Sequence, residues 1–115
     1  MLPKNKRIPK QYFPYILKNA KRYNSEHLIL YICPIDSIIK SKQSRFSFSL
    51  SKKVSPLASD RNKYRRRGYS VVSKYLKQTK GGFFCFFSFK KSKTKPTFDV
   101  LHGEIKELLE TSSVL

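Results

Sequence analysis

The chain has 115 residues, of which 25 are Lys or Arg and 7 are Asp or Glu, so its formal charge is +18. That length fits one domain with one modest core, and the sequence has no run of about 18 apolar residues that would span a bilayer. Because the large positive charge repels itself, an anionic partner is expected, either nucleic acid or an anionic membrane surface. No apolar signal-peptide core follows the basic first residues, so a cytoplasmic location is expected.

The first quarter of the chain predicts one helix and a polar connection. Residues 1–7 are expected to form a flexible basic tail within a single domain that spans 1–115. Apolar residues follow at helical spacing from Ile8 to Asn19, where Pro14 predicts either a kink or a helix that starts close to it. The polar residues from Lys18 to Ser25 are interpreted as a connection.

Two strands are predicted next. The run from His27 to Ile35 is rich in Leu and Ile, which indicates a buried strand. Residues 35–43 are interpreted as a hairpin loop, although Ile38 and Ile39 could extend a strand. The stretch from Ser44 to Lys52 alternates between large apolar and small polar side chains, so its polar face leaves room for a ligand on the sheet. The apolar side chains are Phe46, Phe48 and Leu50, and the polar ones are Ser47, Ser49 and Ser51.

A cationic helix is predicted from Arg61 to Lys77, with Ser59 or Asp60 as its cap. Its apolar residues form one stripe that starts at Tyr64. Gly68 within the stripe predicts either a close approach of the helix to the sheet or a break in the helix. A helical wheel predicts that four residues lie on the side of the helix that faces away from the stripe, namely Asn62, Arg66, Tyr69 and Ser73.

The last third of the chain predicts a strand and a helix. Phe83 to Phe89 is an aromatic strand, and Lys90 to Pro96 is a basic loop. Thr97 is expected to cap a final helix whose apolar residues lie three or four apart, which are Phe98, Leu101, Ile105, Leu108 and Leu109. The pattern alone therefore predicts the order α-β-β-α-β-α in a single α+β domain.

The residues typical of catalytic or metal sites are not arranged as such sites require. Cys33 and Cys85 lie in strand-like runs, where small apolar core residues are expected. Their spacing from His27 and His102 does not match a zinc site. The sequence shows no Ser/His/Asp set, no paired-carboxylate motif and no phosphate-binding loop. It therefore predicts no catalytic side chain and no protein-bound metal.

Residues 60–67 provide the strongest functional signal. Asp60 is the only acid between positions 60 and 77, so pairing within the helix cannot neutralise its cations. A helix start adds free N–H groups and a partial positive charge, and Lys52 and Lys53 lie at the end of the neighbouring strand. Guanidinium groups favour forked contacts with phosphate. This stretch therefore predicts a surface that binds several phosphates of a nucleic acid.

The same residues resemble a known family. The run Phe48-Ser-Leu-Ser-Lys-Lys-Val54, followed by Arg61-Asn62-Lys63-Tyr64-Arg65-Arg66, is similar to the Ser-Val-Ser-Lys-Lys strand and Arg-Asn-Arg-x-Lys-Arg helix of the bacterial ribonuclease P protein subunit. The opening Leu2-Pro3-Lys4 and the last helix also match the layout of that family. Lys63 stands where the family has its second Arg, which keeps the charge but loses the forked geometry.

The resemblance implies a ribosomal protein S5 domain 2-like fold, α-β-β-β-α-β-α, with a mixed sheet and a left-handed βαβ crossover. It implies that the chain is the protein subunit of an endoribonuclease whose catalytic centre lies in its RNA subunit. That enzyme removes the 5′ leader of precursor tRNA, with magnesium ions bound mainly by the RNA. One protein monomer per RNA in a 1:1 ribonucleoprotein and no membrane partner are expected.

Carried over position by position, the resemblance assigns two sets of residues. A cleft between the first helix and the sheet, which holds the single-stranded leader, would comprise Phe13, Leu17, Tyr31, Ser47, Ser49 and Arg61. The surface on the catalytic RNA would comprise Lys52, Lys53, Arg61, Asn62, Lys63, Arg65, Arg66 and Arg67. If Tyr31 lies in the cleft, Ile29 and Cys33 share its face of the strand. The core face then consists of Leu28, Leu30 and Ile32.

Two alternatives stay open from the residues alone. A basic RNA-binding protein of another kind, such as a ribosomal protein, would have the same charge but no leader cleft. A stand-alone nuclease would act without an RNA subunit and would need a catalytic set that the sequence does not show.

Overall fold

The protein is described by a computed structural model over residues 6–35, 44–92 and 95–115. In chain order the elements are a 3-10 turn (Lys10–Tyr12), α1 (Phe13–Asn19), β1 (Lys21–Asn24), β2 (Leu28–Pro34), β3 (Arg45–Ser49), α2 (Ala58–Tyr75), β4 (Phe83–Phe89) and α3 (Phe98–Thr111). This order confirms the α-β-β-β-α-β-α arrangement that the resemblance implies. Residues 1–5 of the predicted tail and residues 36–43 lie outside the described residues. The interpretation of residues 35–43 as a hairpin loop is wrong, because β4 lies between β2 and β3 in the sheet. None of the described helices combines the length and the apolar character needed to cross a membrane.

The strands form one mixed sheet in the order β1-β2-β4-β3. β2 pairs antiparallel with both β1 and β4, whereas β3 and β4 run parallel, so α2 is the crossover between two neighbouring parallel strands. Since Cα partners lie opposite one another, Arg22, Tyr31, Phe86 and Ser47 form one row across the sheet. The radius of gyration of 13.3 Å is that of one compact domain of this length.

Both faces of the sheet are covered by helices. α2 and α3 pack on one face over the main core, which includes Leu28, Leu30 and Ile32. α1 packs on the other face over a smaller core that includes Cys33, with Tyr31 against it. The face assignment predicted for this strand is therefore confirmed. The main core also receives the apolar side of β3, as its alternation predicts, through Phe46, Phe48 and Leu50.

The two cysteines are core residues, as predicted. Cys33 belongs to the smaller core and Cys85 to the main core on the opposite face of the sheet, and no disulfide joins them. Burial raises the pKa of the Cys85 thiol, so this group stays protonated. Both residues serve as small apolar side chains.

β1 is an edge strand that the sequence pattern did not indicate. The interpretation of Lys18 to Ser25 as a connection is wrong for Lys21–Asn24, which pairs with β2 along its whole length. Tyr23 is the one residue of β1 that is partly buried, and a single apolar residue produces no detectable alternation. The strand forms because β2 offers a free edge, which is an effect of tertiary context.

α1 begins at Phe13, which confirms the prediction of a helix that starts close to Pro14. The proline lies in the first turn, where its missing N–H would have no intrahelical partner. The preceding segment pairs with the outer edge of β3, because the N–H of Ile8 donates to the carbonyl oxygen of Phe46 at 3.2 Å and Arg7 forms a parallel bridge with Phe46. The segment before α1 thus extends the edge of the sheet.

The start of α2 differs from the prediction. The helix begins at Ala58, and the prediction of Ser59 or Asp60 as its cap is wrong, because the N-cap is Leu57, whose side chain makes no capping hydrogen bond. Arg61 stabilises this end instead, since its guanidinium donates to two carbonyl oxygens of the preceding loop at 2.9 and 2.8 Å.

Gly68 lets α2 lie directly on the sheet, and the helix continues through it without a break. A Cβ atom at this position would lie 2.6 Å from Cε1 of Phe48, far inside the normal separation of carbon atoms. The Phe48 ring is itself held in place, because it stacks on Phe87 with centroids 4.7 Å apart. Of the two predictions for Gly68, the close approach is confirmed.

Tyr69 lies in the interior, so its predicted outward position is wrong. The residue is 7% exposed, and its ring meets Phe48 edge-on with centroids 5.1 Å apart. Its hydroxyl accepts a hydrogen bond from the backbone N–H of Phe48 at 3.4 Å. Because Gly68 brings the helix so close to the sheet, residues beside the apolar stripe are also covered.

α3 is anchored at its start and in its middle. The Thr97 side chain accepts a hydrogen bond from the N–H of Val100, which confirms the predicted cap. Glu104 accepts hydrogen bonds from the backbone N–H of His27 at 2.8 Å and from the Ser25 hydroxyl, and its Oε2 lies 2.6 Å from Nδ1 of His27. Burial acts to raise the pKa of Glu104, but these contacts outweigh it and hold that pKa below its ordinary value. The carboxylate therefore ties α3 to the turn between β1 and β2.

We expect Gly68→Ala to destabilise the protein, although alanine favours helices. Its Cβ meets the buried ring of Phe48, and overpacking of this kind lowers the free energy of unfolding by about 1–3 kcal/mol. Gly103→Ala in α3 is the matched control, because no atom lies within 4 Å of its Cβ position; it should raise the unfolding free energy by roughly 0.5–1 kcal/mol. Urea denaturation measures both variants. Equal stability of the two variants would contradict the close approach.

Candidate nucleic-acid interface

The positive charge of α2 is not neutralised within the described residues. The helix carries six Lys or Arg residues and one acid, Asp60. Asp60 pairs with Lys95, at 3.3 Å from Nζ to Oδ2. Among residues 6–35, 44–92 and 95–115, neither of the ion pairs involves a cation of α2. The helix therefore presents an uncompensated positive surface.

The exposed part of this surface lies on the first turns of α2. Ser59, Asn62, Arg65 and Arg66 line a shallow depression of about 470 Å³. The Arg65 guanidinium donates to Oδ1 of Asn62, which orients it along the helix surface. Two further predicted residues, Lys52 and Lys53, are exposed in the turn between β3 and α2.

Three other predicted residues are positioned by contacts within the protein. The Arg61 guanidinium is bound to the carbonyl oxygens of the loop before α2. Lys63 and Arg67 lie over the ring of Tyr64, at 5.8 and 5.7 Å from its centroid. Cation–π contacts at such distances are weak near the surface, so Lys63 and Arg67 remain able to meet a phosphate.

A second surface lies on the opposite face of the sheet, beside α1. Phe13 packs on Phe86 with ring centroids 5.0 Å apart, and Tyr31 stacks on the same ring at 5.6 Å. Ser47 is the neighbour of Phe86 on β3. Phe86 is thus the floor on which three of the predicted cleft residues meet.

The aromatic floor is extended by an arginine. Cζ of Arg22 lies 5.4 Å from the ring centroid of Tyr31, and Arg22 is exposed on β1. Guanidinium planes and aromatic rings both stack with nucleic-acid bases. Arg22 therefore widens the stacking surface towards the β1 edge.

The other predicted cleft residues are placed differently. Leu17 lies one helical turn after Phe13, on the same side of α1, and is 49% exposed. Ser49 belongs to the next row of the sheet, opposite Ser88. Arg61 contacts the loop before α2, so it belongs to the cationic surface in this structure.

Sequence reasoning did not identify Arg22 or Phe86 as part of the cleft. Both alternating sets of β4 are mainly aromatic, so composition could not show which set faces the cleft. Arg22 reaches Tyr31 through the pairing of β1 with β2, and the residue pattern did not indicate a strand at these positions. No local signal was available for either residue.

Comparison with known proteins decides the family. The family model described as ribonuclease P matches residues 2–113 of this chain. The chain belongs to the ribonuclease P protein family. The resemblance carried by residues 48–66 is thereby confirmed.

Curated relatives agree with this assignment. A ribonuclease P protein component from Pseudanabaena sp. (strain PCC 6903) is 29% identical, and the match covers 100% of this chain and 97% of the relative. A ribonuclease P protein component from Microcystis aeruginosa (strain NIES-843 / IAM M-2473) is 27% identical, with 92% and 88% covered.

Solved structures of ribonuclease P proteins have the same fold. A Staphylococcus aureus RNase P protein mutant with defective mRNA degradation activity has a TM-score of 0.86 at 19% identity, covering 97% of this chain and 92% of that one. The Thermotoga maritima RNase P protein has a TM-score of 0.77 at 18% identity, covering 91% and 96%. These similarities confirm the predicted fold class.

Proposed function

We propose that the chain is the protein component of a ribonuclease P holoenzyme, an endoribonuclease that removes the 5′ leader of precursor tRNA. In this holoenzyme the RNA subunit is the catalyst, and one protein monomer binds one RNA. The observation that carries the proposal is the presence of two unlike surfaces on opposite sides of one sheet. The cationic surface of α2 suits a folded RNA, and the aromatic cleft beside α1 suits a single strand.

The α2 surface is suited to the phosphate backbone of a folded RNA. Arg65 and Arg66 are adjacent, and each guanidinium can bind one phosphate through two parallel hydrogen bonds. Asn62 adds an amide donor, and the lysines of the turn before α2 add point charges. Each phosphate that is neutralised releases counterions, so affinity should fall steeply with salt.

The cleft is suited to a single-stranded leader. Tyr31 and Phe13 offer ring faces and edges beside Phe86, and stacking on such rings tolerates any base. Ser47 and Ser49 are small, so an extended strand can lie close to the sheet, and their hydroxyls can donate to phosphate or ribose oxygens. The cleft should therefore accept leaders of different sequence.

We assign the magnesium ions of the reaction to the RNA subunit. In the part of the chain that the structure describes, no three His, Cys, Asp or Glu side chains gather as metal ligands. The protein affects the magnesium concentration that the RNA needs only indirectly, because cations on α2 replace part of the counterion atmosphere of the RNA. The protein should thus lower the magnesium concentration that the RNA needs.

The first test is cleavage of precursor tRNA by a bacterial ribonuclease P RNA at low magnesium, with and without the protein. We expect leader removal only when the protein is present, because its cations offset phosphate repulsion. Gel analysis of the released leader measures the rate. Binding of the RNA without rescue would favour a general RNA-binding protein, and cleavage without any added RNA would indicate a stand-alone nuclease.

Loss of charge from α2 should weaken binding to the RNA subunit. For Arg65→Ala and Arg66→Ala we expect about tenfold weaker binding each, since charge-assisted contacts to phosphate are lost. The slope of log affinity against log salt should fall by roughly one for each contact. Lys106→Ala is the matched control, because it removes an exposed cation from α3. If all three variants bound the RNA subunit with equal affinity near physiological salt, α2 would not be part of the RNA interface.

Loss of the Tyr31 ring should weaken binding of precursor tRNA more than of mature tRNA. Stacking of one base contributes about 1–3 kcal/mol, so Tyr31→Ala holoenzyme should lose a factor of five or more for precursor tRNA only. Tyr31→Phe keeps the ring and should retain the wild-type ratio of the two affinities. Equal losses for precursor and mature tRNA, in a Tyr31→Ala protein that unfolds at the wild-type urea concentration, would exclude Tyr31 from the leader cleft.

A further inference from the structure

We propose that a second groove, at the outer edge of β3, binds the phosphates of leader nucleotides that extend beyond the cleft. This inference rests on the proposed function, because its ligand is the same single strand. The groove has a volume of about 570 Å³. Three parts of the chain enclose it, namely the segment before α1, the outer edge of β3, and α2. Its polar and aromatic lining residues are Arg7, Lys10, Phe13, Arg45, Ser47 and Tyr69.

The groove continues the leader cleft. Phe13 and Ser47 line both, since Phe13 packs on the cleft floor at Phe86 and Ser47 is the neighbour of Phe86 on β3. β3 is the last strand of the sheet, so a strand of RNA that crosses the cleft over Ser47 reaches this edge next. The groove is therefore the continuation of that path.

The charge of the groove selects an anionic ligand. Arg7, Lys10 and Arg45 line it, and no carboxylate is among its described lining residues. A cationic groove with aromatic walls is the usual arrangement for sequence-tolerant binding of single strands. Phosphate groups are the anions that such a strand brings.

Arg45 identifies where one of these phosphates would bind. Its Nη1 donates to the carbonyl oxygen of Arg7 at 3.3 Å. Its Nε is buried and has no hydrogen-bond partner within the described residues. A buried cationic N–H without an acceptor is unfavourable. Arg45 as a whole is half-buried and lines the groove, so a small shift of its side chain would bring this N–H onto a phosphate or ribose oxygen there.

The walls of the groove are already in place. The N–H of Ile8 donates to the carbonyl oxygen of Phe46 at 3.2 Å, which fixes the segment before α1. On the other side, the Tyr69 hydroxyl accepts the N–H of Phe48. Both walls are thus attached to the β3 backbone, so little ordering is needed when a ligand binds.

The test uses holoenzymes assembled with Arg45→Gln, Lys10→Gln or Lys106→Gln protein. Their affinities are measured for mature tRNA and for precursor tRNAs whose leaders are lengthened one nucleotide at a time. Arg45→Gln keeps an amide that can donate to the Arg7 carbonyl. Lys10 is exposed, so Lys10→Gln should leave the packing of the core unchanged. Lys106→Gln removes the same charge from α3 and is the matched control.

We expect all holoenzymes to bind mature tRNA and the shortest leaders equally. With longer leaders, Arg45→Gln and Lys10→Gln should lose the added affinity of the wild type, by about tenfold for the guanidinium contact. The salt dependence of log affinity should then fall by about 0.7 for each lost phosphate contact. Lys106→Gln should match the wild type at every length.

Three results would overturn the groove proposal. These are equal affinities of all variants at every leader length, equal losses for mature and precursor tRNA, and weaker binding of the RNA subunit itself, which would assign the groove to that RNA. Failure of the proposed function is seen separately, because the wild-type protein would then not restore cleavage of precursor tRNA by the RNA subunit at low magnesium. A loss confined to long leaders supports the groove.

Discussion

The contact between Gly68 of α2 and the ring of Phe48 on β3 is the constraint on which the rest of the structure depends. Phe48 stacks on Phe87 of β4, so the helix lies on the two parallel strands that it connects. The absence of a side chain at Gly68 allows this approach and, with it, the burial of Tyr69. The position of α2 in turn sets where its cations project and where Tyr69 forms a wall of the groove at the β3 edge. A small displacement of the helix would therefore alter both surfaces.

β3 links the surfaces because each part of the strand has a different role. Its apolar side chains enter the main core, whereas Ser47 and Ser49 lie on the cleft side of the sheet. Its outer edge binds the segment before α1, and Lys52 and Lys53 follow its end. A strand with alternating large and small side chains can serve a core and a ligand at the same time. Under the proposed function, the alternation therefore serves leader binding as well as packing.

Opposite charges are separated on this protein. α2 carries six cations and one acid, whereas α3 carries four of the seven acidic residues, which are Asp99, Glu104, Glu107 and Glu110. In the field of an RNA this separation draws α2 towards the phosphates and turns α3 away. Glu104 has in addition a structural role, because it ties α3 to the turn at His27. Under the proposed function, charge would therefore set the orientation of the protein on its RNA partner.

The sequence by itself determined the features that neighbouring residues define. These include the alternation of β3, the aromatic run of β4, the Thr97 cap of α3, the cations of residues 60–67 and the motif that places the chain in its family. The tertiary structure alone decided that Lys21–Asn24 is a strand, that Tyr69 is buried, and that Arg22 covers Tyr31. It also placed Arg45 beside Arg7. These features depend on strand register and on the distance between a helix and a sheet, which are set by residues far apart in the chain, so no local pattern encodes them.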